Sequence, residues 1–117
     1  MRYWIKIPVQ VSRYEGDLGD NIDSVVQELV KLDACNNSLL DFSADSDSTD
    51  DTAAFAVTVE ADTLDQALAA GASIIRSAIH ATGAATPNWD DAGAYDDVVI
   101  YQLDTDESVE IRQLAAA

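Results

Sequence analysis

The sequence predicts an α+β sandwich, with two helices packed on one face of an antiparallel sheet. Three observations carry this. Residues 2–12 and 54–60 alternate apolar and polar side chains with period two. Residues 21–34 and 63–82 repeat apolar side chains at three and four. The strand-like and helix-like segments follow one another twice in the same order.

Taken in order, Tyr3, Ile5, Ile7, Val9 and Val11 form the buried side of a first strand over 2–12. Pro8 cannot donate to a ladder, so the strand bulges there or that side of it is an edge. Residues 13–19 form a loop with two glycines. Asp20 caps a helix over 21–34, and Asp23 meets the positive end of its dipole. Ile22, Val25, Val26, Leu29 and Val30 make its apolar stripe, and Asn36-Asn37 stops it. A short strand over 39–43 and a longer one over 54–60, with Phe55, Val57 and Val59 on one side, form a hairpin through the acidic loop 44–51. Thr63-x-x-Gln66 is a capping box for the second helix, which Gly83 ends. Its stripe is Leu64, Leu68, Ile75 and Ile79, with Ala67, Gly71, Ala72 and Ala78 allowing close approach to the sheet. After a loop over 86–94 come strands at 98–103 and 109–114, joined by a DTDE hairpin turn.

The order is that of a ferredoxin-like βαββαβ sandwich with a short extra C-terminal strand. It makes one domain over residues 1–117. Trp4, Lys6, Gln10, Thr58 and Tyr101 fall on the face without helices. An apolar patch there, centred on Trp4 and Tyr101, is the expected site of self-association as a homodimer.

Charge is the strongest compositional signal. Twenty-two acids face six bases, a net of −16 on 117 residues. The segment 41–65 holds eight acids and no base, while 1–40 has six acids and four bases. Such a field repels nucleic acids and anionic membranes and attracts basic surfaces. Direct nucleic-acid binding is excluded, because it needs bases to neutralise phosphates. High-salt adaptation and a GC-rich genome also favour this composition. No apolar run approaches the roughly 20 residues that span a bilayer. The single Cys35 rules out an intrachain disulfide, and the first residues lack an apolar signal core. A soluble cytoplasmic protein is the expectation.

The run VTVEADTLDQALAAGASIIRSAIHATGAATPNW (57–89) resembles small uncharacterised ferredoxin-like proteins of high-GC actinobacteria and their phages. The resemblance implies this fold and carries no assigned activity.

Several constellations bear on chemistry. Asp41, Asp45, Asp47, Asp50 and Asp51 are dense enough for calcium. Aligned from Asp45, however, the EF-hand glycine position is Asp50 and its glutamate position is Ala56. His80 has no second histidine, Cys-x-x-Cys or Gly-x-Ser-x-Gly to work with. A Cys35–His80 pair requires two helix C-termini to converge. The first loop, Tyr14–Gly19, shares its place with the ligand loops of amino-acid-sensing ACT domains and of acylphosphatases. Of the first, only Gly16-x-Leu18 is similar and the Asp-x-Pro lead is missing; of the second, Arg13 is present but the glycine pattern is not, and Glu15, Asp17 and Asp20 repel phosphate. No cofactor and no metal site is implied, and no enzyme is expected.

The reading that remains is a non-enzymatic acidic interaction module. It docks on a basic, nucleic-acid-binding protein surface, as a DNA mimic or phage-type inhibitor does. Asp45, Asp47, Asp50 and Asp51 steer it. Trp89, Asp90, Asp91 and Tyr95 form an aromatic–acidic contact loop, since aromatic residues anchor interfaces. The alternative is a dimeric small-molecule-sensing or ancillary domain.

Overall fold

A computed structural model describes residues 1–35, 39–86, 100–103 and 109–114. Its elements are β1 (Arg2–Ser12), α1 (Leu18–Cys35), β2 (Leu39–Asp47), β3 (Thr52–Glu60), α2 (Leu64–Ala81), β4 (Ile100–Leu103) and β5 (Glu110–Leu114). The strand order is β2-β3-β1-β4, with β5 also on β1 and all neighbours antiparallel. This is the ferredoxin-like α+β arrangement with an extra strand.

The period-two pattern of β1 becomes the floor of the core. Tyr3, Ile5, Ile7, Val9 and Val11 are all buried under the helices. In β3 their partners Val59, Val57, Phe55 and Ala53 point the same way. Burying each large aliphatic side chain contributes about 1.5–3 kcal/mol. α2 crosses this floor closely. A Cβ added at Gly71 would sit 2.7 Å from Ile5 Cδ1 and 3.2 Å from Val57 Cγ2. Ala67 and Ala78 are fully buried on the same stripe.

Both helices depart from their expected stripes. α1 starts at Leu18, because Leu18 is itself a core residue. Its cap is therefore Asp17, not Asp20: the Asp17 carboxylate accepts from Gly19 N–H at 2.8 Å. Val30 is 53% exposed. At 3.6 residues per turn it lies about 110° from the centre of the Leu18–Ile22–Val25–Leu29 stripe. In α2 the Thr63 cap forms as expected, with Oγ1 accepting from Gln66 N–H at 3.2 Å. Ile75 and Ile79 are buried, but Leu64 and Leu68 are 49% and 40% exposed. Leu64 lies in the first turn. Leu68 overlooks a gap in the sheet edge described next.

β4 pairs with Val9–Ser12 of β1, and β5 pairs with Arg2–Lys6. Both run antiparallel to β1, so they lie end to end along one edge and do not form the expected hairpin. Ile7 and Pro8 are left between them. The reason is in the ladder. Val11 N–H donates to the Asp51 carbonyl at 2.8 Å, and the Met1 carbonyl accepts from Ala61 N–H at 2.9 Å. Odd-numbered residues of β1 thus turn their backbone groups to β3, and even-numbered ones face β4 and β5. Pro8 places its missing donor on that second edge.

Register also corrects Tyr101. It pairs with Val11, on the helix side, and is 1% exposed. Its ring tilts at 56° against Phe55, with centroids 6.0 Å apart. Tyr101 is a core residue and takes no part in the helix-free face. The Asn36-Asn37 stop, the 86–94 loop beyond Thr86 and the DTDE turn lie outside the described residues. No described helix is long and apolar enough to cross a membrane.

Candidate docking face

β2 is longer than its apolar residues imply. It runs to Asp47, and the turn shrinks to residues 48–51. Two local features close that turn. Asp47 Oδ1 accepts from Thr49 N–H at 2.9 Å, and Asp51 adopts a left-handed φ of 57°. Aspartate tolerates both. The acidic residues 44–47 therefore pair with β3 as a strand.

This places the acids in a definite row. Asp41, Asp45 and Asp47 pair with Thr58, Ala54 and Thr52. These in turn pair with Trp4, Pro8 and Gln10 of β1, and Trp4 pairs with Arg112 of β5. All these side chains share the face opposite the helices. Its middle is small and closed, with Pro8, Ala54 and Ala56 buried and Trp4 and Lys6 half-buried. A depression of about 190 Å³ lies between Lys6, Pro8, Asp45, Asp47 and Thr52. On the β5 side, the Arg112 guanidinium carbon sits 5.1 Å from the Trp4 ring centroid, and its Nη2 contacts Glu110 at 3.2 Å.

Asp41, Asp45, Asp47 and Asp50 are exposed and form no ion pair among the described residues. Asp45 and Asp47, two residues apart on the strand, stand about 7 Å apart. In water this pair repels by about 0.6 kcal/mol. The row is therefore a local cost that a bound cationic group relieves.

Asp51 is set apart from the other three predicted acids. It is half-buried, and Tyr14 O–H donates to its Oδ1 at 2.5 Å. This bond raises the Tyr14 pKa above 10.0, helped by partial desolvation and by the nearby charges of Asp51 and Asp17. Asp51 thus ties the hairpin to the loop after β1. Trp4 lies on the helix-free face as expected. Trp89, Asp90, Asp91 and Tyr95 lie outside the described residues. Asp41 and Arg112 were missed as site residues. Asp41 shares odd parity with Asp45 and Asp47, a signal hidden by ending the strand at residue 43.

Other constellations come apart. α1 and α2 run antiparallel, so Cys35 and His80 end at opposite ends of the sheet. His80 Nε2 is 2.8 Å from the hydroxyl of buried Thr86. In the loop after β1, the Asp17 carboxylate already occupies the α1 N-terminus, where a phosphate would bind. Among the described residues, no three His, Cys, Asp or Glu side chains gather to hold a metal.

The fold and the face together define an acidic ferredoxin-like domain. No family model and no curated protein matches the chain.

Proposed function

We propose that this chain is a non-enzymatic acidic interaction module that docks on a basic protein surface of the kind that holds nucleic acid. One observation carries the reading: Asp41, Asp45, Asp47 and Asp50 are exposed on one strand and its turn and form no ion pair among the described residues. Charge of this kind steers encounter with a basic partner and is screened by salt. The row holds one charge per about 7 Å where two neighbours are both acidic. Over its length Asp41, Asp45 and Asp47 set three charges across about 20 Å, a mean spacing of about 10 Å. One DNA strand carries one per about 3.4 Å, so β2 alone supplies about a third of one strand's density. Trp89, Asp90, Asp91 and Tyr95 complete the contact in this reading.

Affinity capture from the host lysate at low and moderate salt, read by mass spectrometry, tests it. A single stoichiometric partner with a basic nucleic-acid-binding surface supports the reading. Recovery of only a background of basic proteins overturns it.

A second reading has its own observation. An apolar groove of about 400 Å³ runs between α2 and the gap in the β4–β5 edge, lined by Ile7, Leu68, Ala72, Arg76, Leu103 and Val109. Its size suits a small molecule. It favours the small-molecule-sensing part of the alternative reading and carries nothing about a dimer. A ligand screen by thermal shift decides, because a ligand bound only to the folded state raises Tm.

A further inference from the structure

We propose that the basic partner engages this protein by strand addition at the outer edge of β2, through an extended segment with Lys or Arg at alternating positions. The inference rests on the acidic docking reading and specifies its recognition mode.

The edge is built to accept a strand. β2 stands last in the strand order, and only β3 pairs with it among the described residues. Its nine residues, LLDFSADSD, contain neither glycine nor proline. After one irregularity at Leu39/Asp41, the register with β3 runs unbroken to Asp47.

The outward backbone groups follow from ladder parity. Odd-numbered β1 residues bond to β3, so Ala53, Phe55, Val57 and Val59 face β1. Thr52, Ala54, Ala56 and Thr58 then face β2, as do their partners Asp47, Asp45, Ser43 and Asp41. The N–H and C=O groups of Phe42, Ala44 and Ser46 therefore point to the outer edge, where no described strand lies. A second observation agrees: the Asp41 carboxylate folds back to accept from Phe42 N–H at 2.9 Å. A side chain fills the place that a neighbouring strand would take.

The side chains say which strand fits. An added strand sets its alternate side chains beside Asp41, Ser43, Asp45 and Asp47, with Cβ atoms about 4.5–5.5 Å apart. Lys or Arg beside the three aspartates and a small polar residue beside Ser43 match the row. Apolar residues at the intervening positions meet half-buried Phe42 and Ala44 on the other face. A second copy of β2 sets acids beside acids or Ser43, so the same charges that admit a basic strand reject self-pairing.

The probes are three end-capped nine-residue peptides of equal charge. One alternates Lys with Val and Thr, one is its version N-methylated at the Val and Thr amides, which face β2 in an antiparallel pair, and one has its lysines contiguous. Binding at low salt is followed by titration and by amide exchange of the unmodified protein. The proposal expects the alternating peptide to bind at least tenfold tighter than both controls, and to slow exchange at Ala44 and Ser46 at least tenfold. The Ser46→Pro variant removes one outward donor without touching the β3 ladder; it should keep its Tm and lose that preference. If the peptides bind equally, or Ala44 and Ser46 stay unprotected, strand addition is wrong while acidic docking stands. If none of the three binds, both ideas fall.

Discussion

Along one edge of the sheet, β2 runs nine residues without a proline, its side chains mostly exposed and its acids in a row. Along the other, β4 and β5 share the length of β1 in pieces of four and five residues, parted at Ile7 and Pro8. Ala85 also bridges Ile100 from outside β4, its carbonyl accepting from Tyr101 N–H at 2.9 Å. An unpaired edge invites association with other chains, and proteins guard it by charge, by proline or by shortness. Here each edge uses a different guard. A missing N–H at Pro8 refuses every strand alike. A row of carboxylates refuses acidic strands and favours basic ones, so only the β2 guard discriminates between strands.

The strongest test of this contrast is stability. Tyr101→Ala should cost about 3–5 kcal/mol, because it empties a core site against Phe55. Phe42→Ala on half-buried β2 should cost about half as much. Urea unfolding reads both, and equal losses would mean that the two edges are held alike. Next in size is recognition. Reversing Asp45, Asp47 and Asp50 to Lys should slow association with a basic partner about tenfold at low salt, with little change in Tm. A rate insensitive to both salt and reversal removes the steering role. The guard itself is tested by Asp41→Thr/Asp45→Thr/Asp47→Thr. This variant should self-associate with concentration in light scattering, whereas a strictly monomeric variant shows that the charges do not protect the edge.

Alkaline pH separates the tyrosines. Burial pushes the Tyr101 pKa up to about 12, and the Asp51 bond raises that of Tyr14. A raised folded pKa means that the native state holds its proton longer. Both contributions are therefore complete below pH 10, the unfolded value. They decline as pH rises from there, for Tyr101 towards about 12. Tyr101→Phe should flatten most of that decline and Tyr14→Phe a smaller part, measured as Tm against pH. The smallest effect belongs to Pro8→Val, which restores a donor where no described strand lies opposite. Stability should change by no more than about 1 kcal/mol. A larger gain would mean that proline, and not the absence of a strand, holds this edge open.

Much of the fold was legible because it rests on local rules. The alternation in 2–12, the cap at Thr63 and the small residues at Ala67, Gly71 and Ala78 each signal structure within a few residues. The candidate face was half legible. Asp45, Asp47 and Asp50 stood out by density alone. The separate role of Asp51 did not, because Tyr14 reaches it across 37 positions of sequence. Val30, Leu64 and Leu68 stay exposed for a related reason. Helical spacing shows which side chains share a stripe, but burial depends on whether sheet lies beneath them.

By itself the sequence determined the elements, their order and the sign of the field. Periodicity, capping and charge are properties of neighbours along the chain. Only the tertiary structure decided that β4 and β5 lie end to end, that Tyr101 turns into the core, and that Asp41, Asp45 and Asp47 form one row. Each of these depends on register against a distant strand, and a shift of one residue moves every side chain to the opposite face.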